Sequence, residues 1–595
     1  MTAAVRVAVE SSLLQLDREF DFLVPDNLKN SVQWGSRVSF TLGRAKRPTT
    51  GLVIELLDNS EYASTFIQEV TGDRPYLNPE LLLFCKDVAS RQVVALGEIL
   101  QLACPPHMPK IAIEPPAAAP STIPVAISNE VILTSVQESV GERLIPSWAR
   151  EFADRAAALY RQGQSSILIA PEASDVEVIA HALGQRGVEP VVWETTRKSR
   201  KFQNFHRCMN QRQVVIGTRS AIYAPVANLG LIAVADDLDD SYQEVGSPHT
   251  NLRDLALIRS SNRCSVLFAA PYRSAELQRL VEIGYLKDDS NPKVPRIAFS
   301  EPGVRIDDTS LNLAKQSLQE GTLLVLLPRK GVSSAAFCAD CGYRIRCECG
   351  GYVWESKKDR FECRICGLPI TSCRECRSTS FRRGRSGSER TTSEIGKMFP
   401  NATVYEATQE KKPAISNRTN QIVVATPGSA PRLIEGYSGL LVLDCDVWLS
   451  AQTLNSEHKA LRDWGEAIEL LNPNARAVFA GLGGLLGKPL ALWQHREIAR
   501  ASYLDAKLLR LPPAVRTVSV RGTAEQINRV TELITAHGAQ LIRNTGTKAA
   551  YRFDYSVGAK VCADLRSVAV SAKAIQRGSK NVRGLAIAMD DLEAI

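Results

Sequence analysis

The 595-residue chain lacks several features that would each assign it to a class of protein. It has no run of about eighteen apolar residues, which excludes a transmembrane helix and a membrane partner. Residues 1–7 lead directly into strand-like alternation, so we expect no signal peptide and a cytoplasmic protein. Its net charge of +8 is small for this length, so charge alone favours a solvated surface over a nucleic-acid partner.

Cysteine, in contrast, is concentrated in one place. Eight of the fourteen cysteines fall within thirty-nine residues as four close pairs: Cys338 and Cys341, Cys347 and Cys349, Cys363 and Cys366, and Cys373 and Cys376. Two residues between cysteines let both thiolates reach one ion, so four pairs suffice for two zinc ions. The alternative, a disulfide-linked secreted module, is disfavoured because the other six cysteines are scattered.

Periodicity and composition divide the chain into several domains and predict an α/β fold class. Short β-branched apolar runs alternate with helical segments in two regions, which indicates two parallel sheets. A β-rich domain precedes them, and the cysteine module is inserted into the second region. The predicted boundaries are 1–110 for the β-rich domain, 111–127 for a proline-rich linker, 128–298 for the first α/β unit, 299–337 and 381–505 for the second, 338–380 for the module and 506–595 for an α+β C-terminal domain.

Several segments resemble the PriA family of bacterial replication restart helicases. They are Phe20 to Pro25, Leu96 to Leu100, Val214 to Pro225, Asn228 to Val234 and Arg329 to Gly331, the last just before the cysteine module. The resemblance covers about residues 5–110 and 160–595. It implies a domain that binds the 3′ end of DNA, two RecA-like lobes, a two-zinc module and a C-terminal domain.

The resemblance also implies how the cysteines are grouped. The first and last pairs, Cys338, Cys341, Cys373 and Cys376, would bind one zinc ion, and the inner pairs, Cys347, Cys349, Cys363 and Cys366, would bind the second. Only one residue separates Cys347 from Cys349, so their turn must be tighter, and whether Cys349 is a ligand stays open.

Three parts of the family's ATPase are missing from the sequence. No G-x-x-x-x-G-K-[ST] loop occurs; the segment before α-helical residues 148–162 is Gly141 to Ser147, and the glycine-rich segment 483–489 has the wrong spacing. The family's metal-binding acidic box, Asp-Glu-Glu-His, is Ala235-Asp236-Asp237-Leu238 here, so Ala235 replaces the leading metal carboxylate. The Asp pair that remains follows a strand, where such a pair is ordinarily a turn. The arginine motif expected near 464–476 is replaced. We therefore expect no ATP hydrolysis, as in degenerate actinobacterial members, although nucleotide binding without turnover stays open.

The resemblance assigns DNA contacts to Phe20, Asp21 and Gly43, which would line a pocket for a 3′ end. Without the family, Phe20 would be a core residue and Asp21 a turn cap. Basic and aromatic residues also alternate in the cysteine module, a pattern that fits single-strand binding but equally a solvated face with structural aromatics. They include Arg344, Arg346, Tyr352, Trp354, Lys357, Lys358, Arg360, Phe361, Arg364, Arg374, Arg377, and Phe381 to Arg385.

These features predict a replication restart or primosome assembly protein that recognises branched or single-stranded DNA at stalled forks without helicase activity. Its expected partners are primosome proteins, the machinery that loads the replicative helicase, and single-stranded DNA-binding protein. One alternative is an active ATP-dependent 3′–5′ helicase with a divergent nucleotide site. Another is a scaffold whose zinc module binds partner proteins without contacting DNA.

Overall fold

The computed structural model describes most of the chain. The described residues are 3–42, 47–111, 125–193, 197–261, 263–300, 305–329, 336–341, 343, 345–349, 353–357, 360–363, 366–383, 388–449, 456–482, 486–575 and 585–591. Most of the predicted linker and Gly43 therefore lie outside the described residues, as do 483–485 of the glycine-rich segment.

The N-terminal domain is an antiparallel sheet with two helices. Its elements are β1 (Ala4–Val9), β2 (Glu19–Leu23), β3 (Arg37–Leu42), β4 (Arg47–Leu57), β5 (Glu69–Thr71), α1 (Pro79–Gln92) and α2 (Leu96–Ala103). The strand order is β2-β1-β4-β3-β5, which leaves β2 at an edge. Alternation in β1 sends Val5, Val7 and Val9 into one core. The Asn78 side chain caps α1 by accepting from the Leu81 N–H.

The first lobe is built on a parallel sheet in the order β10-β11-β9-β12-β13-β6. Its four inner strands are almost entirely buried on both faces, which explains their continuous apolar runs. The elements are β6 (Asn129–Leu133), β7 (Gln137–Val140), β8 (Arg143–Pro146), α3 (Ser147–Arg161), β9 (Ser165–Ile169), α4 (Ala173–Gly184), β10 (Val191–Trp193), α5 (Lys198–Asn210), β11 (Val214–Gly217), β12 (Leu229–Ala235), α6 (Leu252–Ser260), β13 (Ser265–Ala270) and α7 (Ala275–Glu282).

The second lobe has a second parallel sheet, and the cysteine module is inserted after its strand β15. The sheet order is β14-β23-β22-β15-β21-β20, and the module has two short antiparallel pairs, β16 with β19 and β17 with β18. The elements are β14 (Arg296–Phe299), α8 (Asp308–Glu320), β15 (Thr322–Leu326), β16 (Ala336–Cys338), β17 (Val353–Lys357), β18 (Arg360–Cys363), β19 (Phe381–Arg383), α9 (Ser388–Met398), β20 (Thr403–Ala407), β21 (Gln421–Ala425), β22 (Tyr437–Val442), α10 (Cys445–Trp448), α11 (Ser456–Glu469), β23 (Leu471–Phe479), α12 (Gly487–Ala491) and α13 (His495–Leu509).

The C-terminal domain is a four-stranded antiparallel sheet with two helices, and it packs on the N-terminal domain. Val93, just after α1, belongs to its apolar core. Arg566 donates to the carbonyl of Val94 at 3.0 Å. The elements are β24 (Arg516–Arg521), α14 (Ala524–Thr535), β25 (Gln540–Asn544), β26 (Lys548–Phe553), α15 (Gly558–Ile575) and β27 (Ala586–Met589), with the sheet order β25-β26-β24-β27.

This architecture confirms the predicted fold class, α/β with two parallel-sheet lobes, a β-rich N-terminal domain and an inserted cysteine module. Among the helices in the described part of the chain, none combines the length and the apolar character needed to cross a membrane.

Candidate functional site

The eight clustered cysteines form two groups of four. One contains Cys338, Cys341, Cys373 and Cys376, and the other contains Cys347, Cys349, Cys363 and Cys366; within each group all sulfur atoms lie within 4.8 Å of one another. Sulfur–sulfur distances include 3.4 Å between Cys338 and Cys376 and 3.4 Å between Cys349 and Cys363. A disulfide bond is about 2.05 Å long, so these cysteines are not joined by disulfides.

Tight turns bring the third and fourth cysteine pairs together. The turn after Cys363 is closed by the Gly367 N–H, which donates to the Cys363 carbonyl at 3.0 Å, and the turn after Cys373 is closed in the same way by the Arg377 N–H at 2.9 Å. Gly367 and Arg377 each have a positive φ, 70° and 61°. Glycine takes this conformation without the steric cost that arginine incurs. Cys349 joins its group despite the single residue that separates it from Cys347.

The donor set fits a structural zinc ion. Four sulfurs at about 2.3 Å from a central ion lie about 3.8 Å apart in a tetrahedron, close to the distances of 3.4 to 3.7 Å in the two groups. Four thiolates also need a cation between them, because like charges at this separation repel. All four positions are cysteine, so neither group leaves a position for a reactive water.

Phe20 and Asp21 are neighbours on the edge strand β2, where their side chains point to opposite faces. The Asp21 carboxylate is nearly buried and accepts from Arg6 Nε at 2.9 Å and Ser60 Oγ at 2.6 Å. The hydrogen bond from Arg6 lowers the pKa of Asp21. Phe20 is half-buried against the core, with the Arg18 guanidinium 4.7 Å above its ring. A ligand that meets both side chains must therefore approach along the strand edge.

The basic and aromatic side chains of the module do not all face solvent. Phe361 is buried and packs edge-on against Phe381 with ring centres 5.2 Å apart, so these two aromatics form part of the small core. Arg374 is paired with Glu348 at 3.1 Å. Arg344, Tyr352, Lys358, Arg364, Gly384 and Arg385 lie outside the described residues.

A β-hairpin stands where a phosphate loop was sought. Strands β7 and β8 pair from Val140 with Arg143 to Gln137 with Pro146, around a two-residue turn with Gly141 at φ 62°. The Leu144 N–H donates to the Ile434 carbonyl of the second lobe at 3.0 Å. A phosphate loop binds phosphate through its backbone N–H groups. In this hairpin, backbone N–H groups instead form hydrogen bonds between the two strands and to the other lobe.

The Asp236–Asp237 pair at the end of β12 is bound by protein groups. Asp236 accepts from the Tyr272 hydroxyl at 2.5 Å and from Arg462 Nε of the second lobe at 2.7 Å. Asp237 accepts from Ser274 Oγ at 2.7 Å. Burial raises the pKa of Asp237 to about 6. Burial also acts on Asp236, but the charge of Arg462 and the hydrogen bonds from Tyr272 and Arg462 together outweigh it and lower the pKa of Asp236.

Arg462 of α11 is the central residue of the cleft between the lobes. Its side chain is 6% exposed and also pairs with Asp239 of the first lobe and with Glu466 on its own helix. A second inter-lobe pair joins Arg432 to Asp175 at 2.6 Å. A cleft of about 500 Å³ remains between the lobes, lined by acidic and basic side chains.

Comparison with known proteins finds similarity to replication restart proteins. A family model described as the 3′ DNA-binding domain of PriA matches residues 6–105. The probable replication restart protein PriA of Mycobacterium bovis is 28% identical over 88% of this chain and 87% of its own length. Its counterpart in Mycobacterium leprae is 28% identical over 87% and 88%, and the replication restart protein PriA of Rickettsia conorii is 25% identical over 64% of each chain. The chain is thus similar to PriA proteins over most of its length.

Solved structures are less similar. Yeast Dbp5 bound to RNA and ADP BeF3 superposes with a TM-score of 0.33 at 9% identity, covering 72% of this chain and 92% of Dbp5. The DExH-box NTPase HrpB of E. coli gives a TM-score of 0.31 at 12% identity, covering 59% and 39%. Scores this low carry no argument about this chain.

Sequence analysis identified the clustered cysteines of the chain but missed the residues that close its cleft. Arg462 lies two residues before the segment in which an arginine motif was sought, and it contacts Asp236, 226 residues earlier. Arg432 and Asp175 are 257 residues apart. A single charged residue on a helix carries no local signal of a partner so far away in the chain.

Proposed function

We propose that this protein binds DNA in replication restart, recognises branched or single-stranded DNA at stalled forks, and does not unwind DNA. The observation that carries the proposal is the match of the PriA 3′ DNA-binding model to residues 6–105. Those residues fold as a complete antiparallel domain with its own core. Relatives named as replication restart proteins align over 88% of the chain, so the likeness extends beyond this domain.

The remaining parts have separate roles in this proposal. Residues 1–110 bind the 3′ end, two lobes at 128–298 and at 299–337 with 381–505 form a scaffold, the module at 338–380 binds two structural zinc ions, and 506–595 completes the protein. Its partners are primosome proteins, the loading machinery of the replicative helicase, and single-stranded DNA-binding protein.

The absence of a motor is supported by the cleft. Phosphoryl transfer requires phosphate positioning, a carboxylate for Mg²⁺ and a free arginine in one site. Here the phosphate loop is replaced by the hairpin of β7 and β8, and Arg462 is engaged by Asp236 and Asp239. The acidic side chain that remains near the metal position, Asp236, is therefore paired with Arg462, and neither group is left for a nucleotide.

The test is ATP hydrolysis and DNA binding by the full-length, zinc-loaded protein. We expect no hydrolysis above background with or without forked DNA, and fork binding that weakens steeply with salt, because phosphate contacts release counterions. DNA-stimulated hydrolysis that is abolished by Asp236→Ala would indicate a divergent motor instead. Absence of fork binding at low salt would favour a scaffold that binds only proteins.

A free 3′ end should be recognised through Phe20 and Asp21. Asp21→Ala is expected to weaken binding to forks with a 3′ hydroxyl by about tenfold, or ~1.4 kcal/mol, while a 3′ phosphate should already weaken binding of the unmodified protein. The matched control is Glu55→Ala, which removes another partner of Arg6, 2.6 Å from its Nη1, and leaves Asp21 in place. Equal affinities for both fork ends would assign Phe20 and Asp21 to structural roles.

A further inference from the structure

The connection between β6 and α3 is where a phosphate loop runs in a strand–loop–helix nucleotide site. In such a site, oxygen atoms of a phosphate accept hydrogen bonds between the carboxyl end of the strand and the first turn of the helix. Here β6 ends at Leu133 and α3 begins at Ser147. Between them the chain forms the hairpin of β7 and β8, which contacts the second lobe through Leu144 and Ile434.

A carboxyl group from the second lobe lies at this position. Glu469 is the last residue of α11 and its side chain is buried. Its Oε1 accepts from Thr134 Oγ1 at 2.6 Å, and its Oε2 accepts from Trp148 Nε1 at 3.1 Å. Thr134 directly follows β6, and Trp148 is the second residue of α3. The carboxyl group therefore joins the strand end to the helix start, as the oxygens of a phosphate would.

The surroundings of Glu469 are closed by contacts between the lobes. Trp493 Nε1 of the second lobe donates to the Thr134 carbonyl at 2.9 Å. Leu133 of the first lobe packs within the apolar core of the second. Arg432, whose charge acts on Glu469, is held by Asp175 at 2.6 Å. Residues of both lobes thus shield the carboxyl group from water on several sides.

We propose that Glu469 is a built-in ligand of the first lobe: it occupies the phosphate position between β6 and α3 and holds the two lobes closed. The inference deepens the non-motor part of the proposed function and rests on it. The ligand is a carboxyl group of this chain, so closure of the lobes needs no nucleotide. Opening the cleft would leave the Thr134 hydroxyl and the Trp148 indole N–H without their acceptor.

Hydrogen exchange of the Leu144 amide reports this closure, because that N–H is bonded across the lobes. In Glu469→Ala we expect its exchange to accelerate at least tenfold, while amides of α14 in the C-terminal domain stay as protected as before. Trp148→Phe keeps an aromatic ring and removes the indole N–H, so it should accelerate exchange less than Glu469→Ala does. Combined with Glu469→Ala it should add little, because both substitutions remove the hydrogen bond between Trp148 and Glu469. Glu177→Gln, at an exposed glutamate of the same cleft, is the control.

The outcomes separate the inference from the proposed function. Unchanged Leu144 exchange in Glu469→Ala, or fully additive effects of the two substitutions, would overturn the built-in ligand. Protection of the hairpin by added Mg-ATP in the unmodified protein would overturn it as well, because nucleotide would then reach the position. If Glu469→Ala fails to fold, Glu469→Gln retains the size and one acceptor, and should give an intermediate acceleration. ATP hydrolysis measured in parallel tests the absence of a motor on its own.

Discussion

The cleft between the lobes and the cysteine module both bring charged or ionisable groups close together, but they differ in what neutralises them. In the cleft, Arg462 meets Asp236 and Asp239, and Arg432 meets Asp175, so both signs of charge come from the chain. In the module, each group consists of four identical sulfur donors within 4.8 Å. In the cleft, acidic and basic side chains of the chain pair with each other, whereas four thiolates in one group of the module would need a cation between them.

The two regions also differ in the core that supports them. The cleft lies between two parallel sheets, each with large apolar clusters. The module has one small cluster, and Cys338, Cys347, Cys363 and Cys373 are themselves members of it. A core this small does not fold without additional links. The comparison shows that the lobes are stabilised mainly by large apolar cores, to which the ion pairs of the cleft add. The fold of the module, in contrast, would depend on bound metal.

The largest effect is expected from removing a zinc ligand. Cys338→Ser should reduce bound zinc from about two ions per chain to about one and should unfold the module locally, because binding of a structural zinc is worth ~10–16 kcal/mol. Metal analysis and hydrogen exchange of β16 and β19 check this. Cys208→Ala, a buried cysteine of the first lobe, should retain both ions. Purified protein without metal, or with disulfides among these cysteines, would refute the prediction.

The second effect comes from breaking the central pair of the cleft. Arg462→Met should lower the free energy of unfolding by about 3–5 kcal/mol, since buried Asp236 and partly buried Asp239 lose their partner. Lys459→Met is the control: Lys459 pairs with Asp240 across the same cleft, but the two side chains are 46% and 58% exposed. Its loss should cost only about 0–1 kcal/mol. Similar losses in the two variants would remove the distinction between buried and exposed pairs of the cleft.

The third effect concerns stability at different pH values, to which two buried carboxyl groups should contribute with opposite pH dependence. Burial raises the pKa of Glu469 to about 7, although Thr134 and Arg432 oppose the rise. Its contribution to stability is therefore full below about pH 4.5 and is lost as the pH rises through about 7. Burial also acts on Asp288, but bonds from Arg496 and the charge of Arg273 outweigh it and lower the pKa to about 2. That contribution is present above about pH 4 and is lost as the pH falls through about 2.

Denaturant unfolding at several pH values checks these signs. Glu469→Gln should remove the decline in stability between about pH 5 and 7, on the order of 3 kcal/mol in total. Asp288→Asn should leave that decline intact and reduce the loss of stability at acidic pH. A decline that is the same in Glu469→Gln as in the unmodified protein would assign it to another group, such as Asp237, whose pKa is also raised by burial.

The sequence by itself determined the features that depend on neighbours in the chain. Close cysteine pairs predicted two metal-binding groups because two thiols on one turn reach the same ion, whereas the resemblance to the PriA family implied which pairs belong together. Buried apolar runs such as β9 predicted the parallel sheets. The absence of a phosphate-loop motif also follows from residues that are neighbours in the sequence. The packing of Phe361 against Phe381 could not be predicted from the sequence. Basic and aromatic residues alternate in the same way whether the aromatic side chains lie on a binding face or in a small core.

Only the tertiary structure decided what fills the cleft. Glu469 meets Thr134 across 335 residues, and Arg462 meets Asp236 across 226. No periodicity links residues so far apart; they meet because α11 and the ends of β6 and β12 face one another when the two sheets pack. The sequence could state that a phosphate loop was absent, but the identity of the groups in its place depends on how the lobes are oriented, which is set by the packing of their cores.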